Sequence, residues 1–228
     1  TNYGNDNTGL GHKALYANTS GAENTALGSE TLEANTTGTR NTAIGYRALE
    51  DNTGDMNTAV GAYALPENST GDNNTAVGRN ALRFNTTGGT NTALGHQSLE
   101  SNTTGGNNTA IGGIALDANT TGGDNTSVGL NSLGSNTTGG TNTALGVSAL
   151  AANTTANYNT AVGVDAGAGL TTGGNNTLIG YQAGTSSSPA SMVTGSNTIC
   201  LGNNSITSAN VKVDWTVGSD QRDKTDIQ

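Results

Sequence analysis

The sequence predicts a mainly β fold, a parallel β-solenoid or β-roll of about eleven 17-residue coils, each with room for a short helical turn. Three observations predict it. A motif Asn-Thr-Ala-aliphatic-Gly recurs at fixed spacing, two asparagine positions per unit are held, and most units close on an "NTTG" turn. Composition alone points elsewhere: Leu, Ile, Val and Phe number 35 of 228 residues, below the ~20% under which disorder is the default expectation. Low-complexity disorder has no reason to keep a register, so the repeat decides the class.

The first element is the unit start. Starts fall at Asn24, Asn41, Asn57, Asn74, Asn91, Asn108, Asn125, Asn142 and Asn159, with a degenerate one at Asn7 ("NTGLG") and a late one at Asn176 ("NTLIG"). The spacing is 17 residues, with one unit of 16 whose missing residue falls in the turn. "NTAIG" fits a short strand, buried on one side and ended by glycine. The fifth position is glycine throughout (Gly28, Gly45, Gly61), which implies a positive φ or a backbone packed too closely for a Cβ.

After the glycine comes a stretch such as "YRALED", with a small residue at position eight and Leu at position nine from Leu15 to Leu150. The spacing of Ile44, Ala48 and Leu49 suits a tight or helical turn better than strict alternation. Positions six, seven, ten and eleven vary and carry many of the charges, so they are expected to face water. Held positions, including the fourth-position aliphatics Leu27, Ile44, Val60 and Val77, are expected to face the stack.

The asparagines at position one and at position twelve (Asn18, Asn35, Asn52, Asn68 through Asn153) are expected to stack as ladders. Identical amides about 4.8 Å apart can bond one to the next and satisfy one another. Eight of the nine second-ladder asparagines also sit in Asn-x-Ser/Thr sequons, which turn and ladder chemistry explains without sugar. Large apolar residues are few per coil, so association with other copies of the chain is expected.

Several function classes are disfavoured. Net charge is −9 and no Lys/Arg run tracks a phosphate backbone, so nucleic acid is not an expected partner. Cys200 is the single cysteine, leaving no intrachain disulfide and no multi-Cys metal site; it reads as a buried thiol. No apolar run nears 18 residues, so no membrane insertion is expected. His12 and His96, at variable position six of different units, read as solvated surface rather than metal ligands. A flat Thr-x-Thr array and the Asp of calcium-binding coils are both missing from the pattern. Residues 1–218 show no convergent acid, base and nucleophile, and neither an enzyme nor a cofactor is expected there.

The pattern changes after Gly163. Leu is lost at position nine (Gly167, Gly184), a longer loop "TSSSPASMVTGS" precedes "NTICLG", and "VKVDWTV" (211–217) alternates as a half-buried strand. Trp215 on its apolar face suits packing between chains or, alternatively, sugar stacking. These shifts divide the chain into a repeat stalk (1–202), a β neck (203–218) and a terminal piece (219–228).

The last stretch, "SDQRDKTDI", resembles the opening of the endosialidase-type intramolecular chaperone family. Ser219, Asp220, Arg222, Lys224 and Ile227 fill the family's Ser-Asp-x-Arg-x-Lys-x-x-Ile slots. The "NTAIGxxAL…NTTG" units resemble stalks of phage tail fibres and bacterial surface proteins and, more loosely, the coils of trimeric autotransporter adhesin heads. The resemblance implies a homotrimeric fibre, on a virion or at the cell surface, that reaches a host receptor or glycan. It also implies self-cleavage before Ser219, with Ser219 as nucleophile and Lys224 as its base, a pairing that a desolvated lysine makes chemically reasonable. Only the start of such a chaperone domain is present, and the sequence is expected to be a segment of a longer protein. The resemblance thus implies a structural shaft. The alternative is an adhesin or glycan-binding module that uses positions six, seven, ten and eleven directly; those positions show no aromatic cluster (only Tyr16, Tyr46, Tyr63, Phe84 and Tyr181 recur there), which favours the passive shaft.

Overall fold

The computed structural model describes residues 4–185 and 192–207. Over them the chain winds as a β-solenoid whose twelve three-residue strands pair in parallel, in strict chain order, into one sheet. The strands are β1 (Thr8–Leu10), β2 (Thr25–Leu27), β3 (Thr42–Ile44), β4 (Thr58–Val60), β5 (Thr75–Val77) and β6 (Thr92–Leu94). They continue as β7 (Thr109–Ile111), β8 (Thr126–Val128), β9 (Thr143–Leu145), β10 (Thr160–Val162), β11 (Thr177–Ile179) and β12 (Ile199–Leu201). Register is exact: Thr92 lies opposite Thr109, Ala93 opposite Ala110, and Leu94 opposite Ile111. Twelve strands at ~4.8 Å spacing make a rod about 50 Å long.

The helical turn expected in each coil is not there. No helix occurs among the described residues; "YRALED" and its equivalents form a chain of turns. Residues at positions seven and nine take left-handed backbone, for example Arg47 at φ 55° and Leu49 at φ 51°. A helix bonds to itself, whereas these N–H groups point along the rod. Arg47 donates to the Ser29 carbonyl of the preceding coil at 3.0 Å, and Leu49 to the Ala64 carbonyl of the next at 3.1 Å. Left-handed geometry costs a side-chain-bearing residue roughly 1–2 kcal/mol. The inter-coil bonds and the full burial of Leu49 offset it.

The glycine at position five behaves as expected. Gly45 has φ 127°, and a Cβ there would stand 2.7 Å from the Gly61 carbonyl of the next coil. Only glycine lets two coils approach so closely at this corner.

The interior consists of columns. Third-position alanines (Ala43, Ala59, Ala76, Ala93), eighth-position alanines (Ala48, Ala64, Ala81) and ninth-position leucines (Leu49, Leu65, Leu82, Leu99) are all fully buried. Where a column changes, its neighbours compensate. Leu170 and Leu178 are fully buried in the coils that lack a ninth-position Leu, and the Leu178 methyls lie where a Cβ on Gly167 or Gly184 would fall, 2.6 and 2.9 Å away. In coil eight the alanines of positions three and eight become Ser127 and Ser132. Their hydroxyls pair with each other, and Ser127 Oγ also donates to the Ser132 carbonyl at 2.8 Å.

Both asparagine ladders are buried, and they meet at one carbonyl per coil. In coil six the amide of Asn91 and the amide of Asn102 each donate to the Gly105 carbonyl at 2.9 Å. The Asn91 Oδ1 accepts the backbone N–H of Asn108 at 2.9 Å, and Asn102 Nδ2 also reaches Asn85 Oδ1 at 2.8 Å. The position-twelve ladder thus runs amide to amide, as expected. The position-one ladder runs mainly amide to backbone, which places the start of each strand directly under the last. A sugar on Asn102 Nδ2 would take one of its two N–H donors and has no room at this fully buried amide.

Candidate functional site

The strands alternate, with position three inward and positions two and four outward. One expectation is thereby corrected: the fourth-position aliphatics do not face the stack. Leu27, Leu94, Leu145 and Ile179 remain 44–48% exposed while the residues before them, Ala26, Ala93, Ala144 and Leu178, are buried. The pattern period of two settles this, since position four shares a face with Thr at position two, opposite the buried alanine. Sequence reasoning equated "held" with "buried", and this is where that equation fails.

The outward face of the sheet is therefore a strip with two columns. One is threonine, unbroken from Thr8 through Thr177; the other is aliphatic, from Leu10 through Leu201. No charged side chain interrupts either column. On coils eight to eleven position six also turns apolar, and Leu130, Val147, Val164 and Tyr181 are 42–58% exposed. The apolar surface thus widens towards the later coils.

Charges occupy the remaining outer positions and pair mostly from coil to coil. Lys13 meets Glu33 at 2.7 Å, Arg40 meets Glu23 at 3.0 Å, and Arg47 meets Glu30 at 2.6 Å. The Arg47 hydrogen bond holds the Glu30 carboxyl below its ordinary range, and the Glu33 hydrogen bond raises Lys13. Glu30, Glu33 and Glu50 bring carboxylate oxygens within 4.8 Å of one another, the one such acidic group among the described residues. Lys13 and Arg47 sit on those carboxylates, so ion pairing accounts for the cluster without a metal.

Comparison with family models, curated proteins and solved structures gives no match.

Three of the aromatic residues, Tyr46, Tyr63 and Phe84, come together in space, which corrects the expectation that the variable positions hold no aromatic cluster. Tyr46 and Tyr63 meet edge to face, centroids 5.3 Å apart at 84°. The Arg47 guanidinium lies 5.4 Å from the Tyr46 centroid, and that of Arg83 lies 5.8 Å from Tyr63 and 4.9 Å from Phe84. These residues occupy different unit positions (six, seven, ten and eleven), and only the stacking of coils three to five aligns them.

His12 and His96 are exposed, as expected, and Cys200 is buried. Trp215 and the pair implied for self-cleavage, Ser219 and Lys224, lie outside the described residues, together with the 211–217 strand expected from the sequence. No helix long and apolar enough to cross a membrane occurs among the described residues.

Proposed function

We propose that the chain is the structural shaft of an extracellular homotrimeric fibre, of the kind with which a phage tail fibre holds a host-recognition tip away from the particle. The observation that carries this reading is the charge-free Thr/aliphatic face running the whole length of a regular rod. Apolar patches of that extent are uncommon on isolated soluble chains and mark surfaces that a partner covers. The fourth-position leucines and isoleucines keep 36–68% of their surface exposed and the valines less, and covering them gives about 1 kcal/mol per coil. Over the rod this sums to on the order of 10 kcal/mol, comparable with the roughly 4–15 kcal/mol that association costs. Assembly then needs the full column, not one or two coils.

The number three comes from the resemblance of the stalk units and of the 219–227 motif. Identical columns at identical spacing let three copies turn the same face to a common axis, with the apolar surface of coils eight to eleven giving the broadest contact. The work of such a rod is mechanical: continuous inter-coil hydrogen bonds resist bending and hold the tip away from the particle. Small-angle scattering of the purified chain tests this reading. Three chains side by side give a thick rod, and a Leu94→Lys/Ile111→Lys variant gives a thin one. A wild-type profile already as thin as the variant's contradicts it.

A further inference from the structure

The strip formed by Tyr46, Tyr63 and Phe84 with Arg47 and Arg83 is a second surface, separate from the sheet face. We propose that it is a lateral binding site for a neutral polysaccharide. Tyr46 is at position six of coil three, away from the widened apolar surface of coils eight to eleven. The others lie at positions seven, ten and eleven, so a shaft assembled through positions two and four leaves them all on its outside. Tyr46 and Phe84 keep 42% and 37% of their surface exposed. Three of the six aromatic residues among the described ones gather here; Tyr16, Tyr158 and Tyr181 stand elsewhere on the rod. Tyr and Arg are the side chains that most often carry recognition, because they offer rigid area with little entropy to lose.

The charge pattern selects the ligand. Arg47 is paired with Glu30 and Glu50, and Arg83 lies 3.8 Å from Glu100, so neither guanidinium offers uncompensated charge to an anion. Each guanidinium still has N–H groups beyond those the carboxylates take, since the fork carries five donors. A surface of rings with neutralised donors beside them suits a pyranose, whose C–H face packs on a ring while its hydroxyls accept and donate. Phosphorylated or uronic polymers would meet Glu30, Glu50 and Glu100 at close range and be repelled. The edge-to-face and cation–ring contacts hold the rings upright across three coils, which prepares the surface before a ligand arrives.

Affinity electrophoresis of the purified chain tests the site, in gels containing β-glucan, mannan or galactan, with alginate as the acidic arm. Retardation by at least one neutral polymer, and none by alginate, is expected. Tyr46→Ala/Phe84→Ala then weakens the retarding interaction about tenfold or more, a loss of the size expected for hot-spot residues. Tyr158→Ala, at an exposed ring outside both surfaces, leaves it unchanged. Circular dichroism confirms that each variant keeps its coils, and Arg83→Gln serves if the double variant does not. No retardation in any neutral gel, retardation by alginate alone, or equal retardation of the double variant overturns the proposal. Mass measured on the same samples reports assembly separately, so failure of this site is distinguishable from failure of the shaft reading.

Discussion

Asn35 Oδ1 is buried without a hydrogen-bond donor, and the reason is Asn52 one coil on. The coil that begins at Asn41 is one residue short between Asn52 and Gly54. The Asn52 amide keeps its bond to the Gly54 carbonyl at 2.8 Å but makes no second bond back to Asn35, as Asn102 does to Asn85, and Asn52 Oδ1 accepts from Asn57 and Asn68. A second break lies at Asn153 Oδ1, where the next position-twelve residue is Leu170.

Inserting a threonine between Thr53 and Gly54 restores the 17-residue unit and gives Asn35 a donor. The expected gain is about 1–2 kcal/mol, read as a higher Tm by calorimetry. An unchanged or lower Tm would show that the short coil has found another accommodation.

In mid-ladder the opposite experiment applies. Asn91→Ala removes the acceptor of the buried Asn108 N–H and one donor to Gly105. A loss of about 1–3 kcal/mol is expected in denaturant titration. Loss of only a few tenths would mean that the ladder sets register without contributing to stability.

The leucine exchange in coils ten and eleven is testable as a pair. Leu178→Ala opens a cavity and should cost about 2–5 kcal/mol. Adding Gly184→Leu returns a side chain to the ninth position, where leucines elsewhere take the same left-handed backbone, and should recover more than half of that loss. If the double variant is no better than the single, the two sites do not share one space.

Asp117 gives a pH dependence. Burial pushes its carboxyl above the ordinary value, only partly opposed by backbone hydrogen bonds. The folded chain therefore holds this proton more tightly than the unfolded chain. The stabilisation is complete below the unfolded pKa of about 3.9 and is lost as pH rises through the folded value. Asp117→Asn should raise Tm at neutral pH and leave it nearly unchanged at acid pH, by thermal melts across the range. A variant effect independent of pH contradicts this assignment.

Unit length, strand position, the Gly45-type corner and both asparagine ladders were legible in the sequence, because each depends on a residue type that few others can replace. What was missed shares a physical origin. Leu49 carries no mark of its left-handed backbone, since that geometry is imposed by inter-coil hydrogen bonding and not by leucine. The outward direction of Ile44 follows from its alternation with Ala43, and a three-residue strand is too short for that alternation to stand out. Leu178 filling the space beside Gly167 and Gly184, and Tyr46 meeting Tyr63, arise only from stacking, which joins unit positions that no single-unit comparison aligns.

In the proposed shaft, copies of this rod cover one another through the Thr/aliphatic face. Sedimentation equilibrium of the purified chain, with and without Leu94→Lys/Ile111→Lys, tests it most directly. Three times the 22.6 kDa chain mass is expected for the wild type, and a single-chain mass with unchanged circular dichroism for the variant. A wild-type chain that sediments as a stable monomer at every concentration contradicts it.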